Sequence, residues 1–207
     1  TYTWYDPNEG GIAVEDTATQ TITVAPAPTL SAGKDVTTTL TGKITSYNFK
    51  PDVSASDDSA VTVAIKNVKT NETVTAAKDG SYDLTAGTYQ VTYTDDTTSN
   101  NPVTETVTVN PAPTLVPSSN VTVNLGAGQQ TYEFVPSVSA SDDSTVVVSV
   151  VNTATGTAVK AASDGSYNLV AGTYQVIYTD DTASNSPLTE TLTVKAVTKA
   201  NGGSGAN

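Results

Sequence analysis

Residues 27–110 recur as residues 112–195 at a constant offset of 85. No insertion or deletion interrupts the match, and 48 of the 84 aligned positions are identical. Val53-Ser-Ala-Ser-Asp-Asp-Ser59 returns as Val138-Ser-Ala-Ser-Asp-Asp-Ser144, and Ala86-Gly-Thr-Tyr-Gln-Val91 returns as Ala171-Gly-Thr-Tyr-Gln-Val176. Self-similarity of this kind marks one folding unit copied in tandem, each copy closing a core of its own. Copying a module supplies length, reach or valency, and it seldom builds a unique reaction centre.

The copied unit reads as strands. Val61-Thr-Val-Ala-Ile65, Tyr89-Gln-Val-Thr-Tyr93 and Thr104-Glu-Thr-Val-Thr-Val109 alternate with period two and are rich in β-branched residues. That pattern suits a pleated surface with one buried face. Turn signals separate these runs at Ser56-Asp-Asp-Ser59, Lys78-Asp-Gly80, Thr85-Ala-Gly87 and Ser99-Asn-Asn-Pro102. No stretch carries a helical period. The spacing predicts strands over 35–41, 47–55, 60–66, 72–76, 81–84, 88–95 and 103–109, with the second copy following by adding 85. Seven short strands in about 85 residues predict two antiparallel sheets packed face to face.

Ala86-Gly-Thr-Tyr89 opens the sixth strand where immunoglobulin-type domains place a tyrosine whose hydroxyl bonds back to upstream backbone. Two residues on, where antibody domains carry a cysteine, stand Val91 and Val176. The chain has no cysteine, so packing alone must join the sheets. The order of motifs is an acidic turn after Val-Ser-Ala-Ser, then Gly-Ser-Tyr, then Ala-Gly-Thr-Tyr-x-Val-x-Tyr-Thr, then a final Thr-x-Thr-Val strand. In that order the chain resembles the immunoglobulin-like repeats found in tandem on bacterial surface proteins and adhesins. The resemblance implies secretion to the cell surface, extended arrays, and adhesive or spacing roles.

The fold class expected is therefore all-β: tandem immunoglobulin-like β-sandwich modules without disulfides, preceded by a partial module. Residues 27–111 and 112–196 form the two repeats, and the Gly- and Asn-rich 197–207 reads as a flexible tail. Residues 1–26 read as the last hairpin of a further module, because Thr19-Gln-Thr-Ile-Thr-Val24 matches Thr104–Val109 at the same offset. A lone hairpin has an unburied apolar face and open edges, so it needs completion by preceding chain or by another molecule. Trp4, the sole tryptophan, is the expected anchor there. The junctions Ala25-Pro-Ala-Pro28 and Asn110-Pro-Ala-Pro113 are short and stiff.

Composition narrows the chemistry. Histidine and cysteine are both absent, which removes the common general base and the thiol nucleophile. Carboxylates could still hydrolyse glycosides, but at 6% aromatics there is little to line a sugar cleft, and no enzyme is expected. A net charge of −12 repels phosphate backbones and anionic headgroups, excluding nucleic acid. No apolar run is long enough for membrane insertion. No lysine recurs at the same place in both copies, which argues against a repeated lysine–asparagine crosslink.

The candidate site is acidic. Asp57, Asp58, Asp95 and Asp96 recur as Asp142, Asp143, Asp180 and Asp181. Strand parity places the loops that bear them at one pole of each sandwich, the pole where the chain enters and meets the preceding module. Several carboxylates there are candidate ligands for Ca²⁺, a hard cation that takes many oxygens. The competing expectation is that Asp-Asp merely makes good turns. The expected function is a semi-rigid spacer or adhesin stalk of a secreted bacterial surface protein. Alternatives are a filament or surface-layer subunit joined by strand exchange through residues 1–24, and a carbohydrate- or protein-binding module. Expected partners are neighbouring modules, identical subunits, or a host or matrix ligand, with no cofactor beyond the calcium.

Overall fold

The computed structural model describes residues 19–117 and 119–196. The first unit contains β1 (Leu30–Ala32), β2 (Val36–Thr39), β3 (Tyr47–Phe49), β4 (Val53–Ala55), β5 (Thr62–Asn67), β6 (Thr73–Val74), β7 (Tyr82–Leu84), β8 (Gly87–Thr94) and β9 (Val103–Asn110). The second repeats them as β10 (Leu115–Pro117), β11 (Val121–Asn124), β12 (Tyr132–Phe134), β13 (Val138–Ala140), β14 (Val147–Asn152), β15 (Ala158–Val159), β16 (Tyr167–Leu169), β17 (Gly172–Thr179) and β18 (Leu188–Lys195). No helix occurs among the described residues, so none is long and apolar enough to cross a membrane.

Each unit closes the same way. Five strands, in order β2-β9-β8-β5-β6, form one sheet, and β11-β18-β17-β14-β15 repeats it. The pairs β1-β4 and β3-β7 form the opposing layer, repeated by β10-β13 and β12-β16. All pairings are antiparallel except β2 with β9 and β11 with β18, which run parallel. Val36 lies opposite Val107 and Thr39 opposite Asn110, so β2, the second strand of the unit, is zipped to β9, its last. The chain is an all-β tandem of immunoglobulin-like sandwiches without disulfides.

Period-two alternation explains the packing. On β8, Tyr89, Val91 and Tyr93 face inward and are buried, while Thr88 and Gln90 face out. Ile65, Leu84 and Val107 meet them from β5, β7 and β9, and the second unit gathers Val150, Leu169 and Leu192 into a separate core. Val91 and Val176, at the cysteine position, are each 0% exposed. Burying such a valine contributes about 1.5–3 kcal/mol, comparable to part of what a disulfide would add. Tyr89 donates its hydroxyl proton to the carbonyl of Thr85 at 3.0 Å, and Tyr174 does so to Val170 at 3.0 Å. The upstream tyrosine bond expected from Ala86-Gly-Thr-Tyr89 is present in both copies.

The structure refines the strand reading. The expected strand over 47–55 is split into β3 and β4, because Pro51 lacks an amide proton for a continuous ladder. The expected strand over 35–41 is shorter, and β1 precedes it, held by β4 rather than signalled by alternation. Thr19–Val24, expected to be a strand, is exposed and has no strand assignment. Its expected hairpin partner and Trp4 lie outside the described residues, as does the tail 197–207.

Candidate functional site: the acidic pole and the joint

At one pole of each unit the entering chain is clamped by the β8–β9 loop. Asn100 accepts from the amide of Leu30 at 2.7 Å and donates to the carbonyl of Leu30 at 2.9 Å. One side-chain amide thus imitates a neighbouring strand for the first residue of β1. The amide of Ser99 donates to the carbonyl of Pro28 at 2.8 Å. Ser56, from the β4–β5 turn, accepts from the amide of Thr29 at 3.0 Å. Asn185, Ser184 and Ser141 make the same contacts to Leu115, Pro113 and Thr114.

The acidic residues sit on these two loops, and the structure joins one from each. Ser59 donates to Asp57 Oδ1 at 2.6 Å and makes a very short contact with Asp95 Oδ2. Thr97 reaches Asp95 Oδ1 at 2.7 Å and Asp57 Oδ2 at 3.2 Å. Two hydroxyls carry two protons, so four contacts between two alcohols and two carboxylates cannot all be hydrogen bonds at once. The two hydroxyls bridge the carboxylate pair and so hold the loops together. Hydrogen bonding favours the ionised form. The Ser59 hydroxyl leads in holding both Asp57 and Asp95 below the usual carboxylate range.

In the second unit Ser144 makes a very short contact with Asp180 Oδ2, and Thr182 donates to Asp180 Oδ1 at 2.7 Å. Thr182 also lies 3.4 Å from Asp142 Oδ2. Ser144 again leads in lowering the pKa of both Asp142 and Asp180.

The other four acids are placed differently. Asp58 and Asp143 occupy left-handed turn positions at φ 59° and 58°, a conformation that aspartate tolerates. Both are exposed, as are Asp96 and Asp181. Among the described residues no three acidic side chains converge as a group able to hold a metal. Each pole therefore brings two carboxylates together, with two more at its rim.

The second unit's pole abuts the first unit. The amide of Gly42, in the β2–β3 turn, donates to the carbonyl of Thr182 at 2.7 Å. Gly42 has φ +56°, and a Cβ there would stand 3.0 Å from the carbonyl oxygen of Asp181. Glycine is required twice over, by backbone hand and by space. Lys43 lines the same recess as Asp180 and Asp181. The connecting Pro111–Thr114 is pinned from both sides. Ala112 packs on the first core, while the buried Pro113 gives its carbonyl to Ser184. The corresponding turn of the second unit is Gly126-Ala-Gly-Gln129, whose positive φ falls one residue later, at Gly128. The Gly42 geometry is thus specific to this joint.

One buried pair was not anticipated from sequence. Tyr93 donates to Glu105 at 2.8 Å, and Tyr178 to Glu190 at 2.5 Å, both inside the sandwich. Glu105 is 5% exposed, and burial raises its carboxyl above the ordinary value against the opposing effect of Tyr93. Burial also pushes the Tyr93 phenol well up. The signal was available: Glu105 shares strand parity with Val107 and Val109, so alternation alone turns it inward.

Comparison with known proteins gives no family. No family model matches the chain, and no curated protein matches it. Among solved structures, extracellular domains 3–5 of Drosophila OTK are 12% identical over 82% of this chain and 62% of that one, with a TM-score of 0.40. The chain thus spans less than two thirds of that fragment. DIP-gamma IG1+IG2 is 11% identical over 84% of this chain and 99% of that one, at 0.46. Human Protocadherin-24 EC1-2 is 13% identical over 84% and 100%, at 0.44. The fold assignment rests on the strand pairings above.

Proposed function

We propose that the chain is a non-enzymatic, semi-rigid spacer segment of a secreted bacterial surface protein, carrying tension or presenting a terminal adhesive element. The observation that carries this reading is the pinned joint, fixed by the Gly42–Thr182 bond, the packed Ala112 and the buried Pro113. The parallel β2–β9 ladder supports it. Once β1 is drawn off β4, a pull on the two ends loads the parallel β2–β9 ladder in shear, rather than peeling one bond at a time. Single-molecule pulling tests the reading. Two discrete unfolding events with equal length gains support it; smooth extension without discrete events refutes it.

Calcium enters as a second proposal, favoured by the approach of Asp57 to Asp95 and of Asp142 to Asp180 through shared hydroxyls. A cation at these poles would take oxygens from the paired acids, with Asp58, Asp96, Asp143 and Asp181 at the rim, and would stiffen the array. A thermal midpoint that rises with calcium and falls with chelator supports this; an unmoved midpoint retires it. Assembly through residues 1–24 and binding of a carbohydrate or protein are the remaining alternatives for function.

A further inference from the structure

The two copies differ most tellingly on the outer face of the five-stranded sheet. In the second unit Val148 and Val150 point to the core, so Val147, Ser149 and Val151 of β14 point outward. Ile177 lies opposite Ser149 on β17, between the fully buried Val176 and Tyr178, and also faces out. Val147 and Val151 flank it diagonally, within reach across neighbouring strands. Val147 is 64% exposed. In the first unit the residues at these three places are Thr62, Lys66 and Thr92. Every apolar member of the cluster thus has a polar counterpart on the same backbone, so the fold itself does not require it.

The surroundings identify the occupant. The remaining outward residues of β11, β14, β15, β17 and β18 are uncharged, apart from Lys195 at the end of β18. On a chain of net charge −12, this face offers nothing to a basic partner, which would seek the acidic poles. It is instead a place where two strongly acidic molecules can meet without opposing like charges. An isologous contact of the patch with itself needs only self-complementarity.

We propose that the outer face of β14 and β17, centred on Val147, Val151 and Ile177, is a self-association surface for a second copy of this chain. A five-stranded face measures roughly 20–25 Å on a side from ~4.8 Å strand spacing and ~3.3 Å per residue, below the ~800 Å² per partner of a standard interface. The dimer is therefore weak and becomes effective when chains stand side by side in numbers. This contact is lateral and does not depend on the spacer reading or on residues 1–24.

The test is sedimentation of the full chain across concentration, beside the triple variant Val147→Thr, Val151→Lys and Ile177→Thr. These replacements are those the first unit already carries, and an unchanged β-sheet circular dichroism spectrum verifies folding. The wild type should show a concentration-dependent dimer, and the variant should associate at least about tenfold more weakly. Added salt should strengthen the wild-type dimer by screening the net charge, where a charge-paired contact would weaken. A wild type that stays monomeric at every concentration and salt overturns the proposal. So does a folded variant that dimerises as well as the wild type, or a dimer that salt dissolves.

Discussion

Replacing Tyr93 with phenylalanine isolates the buried hydroxyl–carboxylate bond at almost no cost in packing. The ring of Tyr93 is 0% exposed and stays in place in the variant, so no cavity opens. What is lost is the donor to Glu105, a hydrogen bond to a group that carries charge when ionised. Such bonds contribute about 1.5–3 kcal/mol, and a neutral one about 1 kcal/mol. The sign of the pH dependence follows from the raised carboxyl of Glu105. A carboxyl raised on folding binds more protons in the folded than in the unfolded state. Its contribution to stability is therefore greatest in acid and is lost as pH rises from its unfolded value through its folded one. Phenylalanine removes the one partner that opposes the upward shift, which steepens that loss. Denaturant unfolding of the first unit should show Tyr93→Phe destabilised by about 2 kcal/mol at pH 7 and by about 1 kcal/mol near pH 4. Glu105→Gln retains the acceptor for Tyr93, so it should match or exceed the wild type at pH 7 and flatten the profile. Equal stability of Tyr93→Phe and wild type at pH 7, or a larger loss in acid than at neutrality, would refute the reasoning.

Three further outcomes follow from the poles and the joint. Asn100→Ala removes both bonds to Leu30 and should cost about 1–3 kcal/mol, seen as faster hydrogen exchange at the β1 amides, while Asn185→Ala acts only on the second unit. Ser59→Ala strips the leading cause of the low Asp95 pKa, so an NMR carboxyl titration should show Asp95 moving up. Stability that depends on ionised Asp95 is present above its unfolded value and lost as pH falls, so the variant should be the less acid-dependent of the two. Gly42→Val places a branched side chain at φ +56° against the carbonyl of Asp181, and should loosen the joint while both units unfold with near-normal cooperativity.

Much of the architecture was legible because the chain states its pattern twice. Alternation in Tyr89–Tyr93 and Thr104–Val109 fixed which side chains enter the core, and parity of strands fixed which loops share a pole. β1 escaped notice because Leu30–Ala32 is too short to show a period and is held by Ala55 and Asn100, both distant in sequence. That the loops bearing Asp57 and Asp95 share a pole was foreseen from topology, whereas the joining of these two acids alone through Ser59 and Thr97 was not. Hydroxyl residues are so common in this chain that no single one stands out by type. Gly42 was overlooked for a different reason: its turn, closed by the Ile44 amide on the Thr41 carbonyl, is local, but the close approach to Asp181 comes from another unit, which local sequence does not record.

The joint is the feature on which the spacer proposal depends, and residual dipolar couplings measure it most directly. Amides of residues 30–110 and 115–195 in one weakly aligned sample should report a single shared alignment tensor in the wild type, and separate tensors in Gly42→Val. Two independent tensors in the wild type would mean that the units swing freely, contradicting a fixed joint.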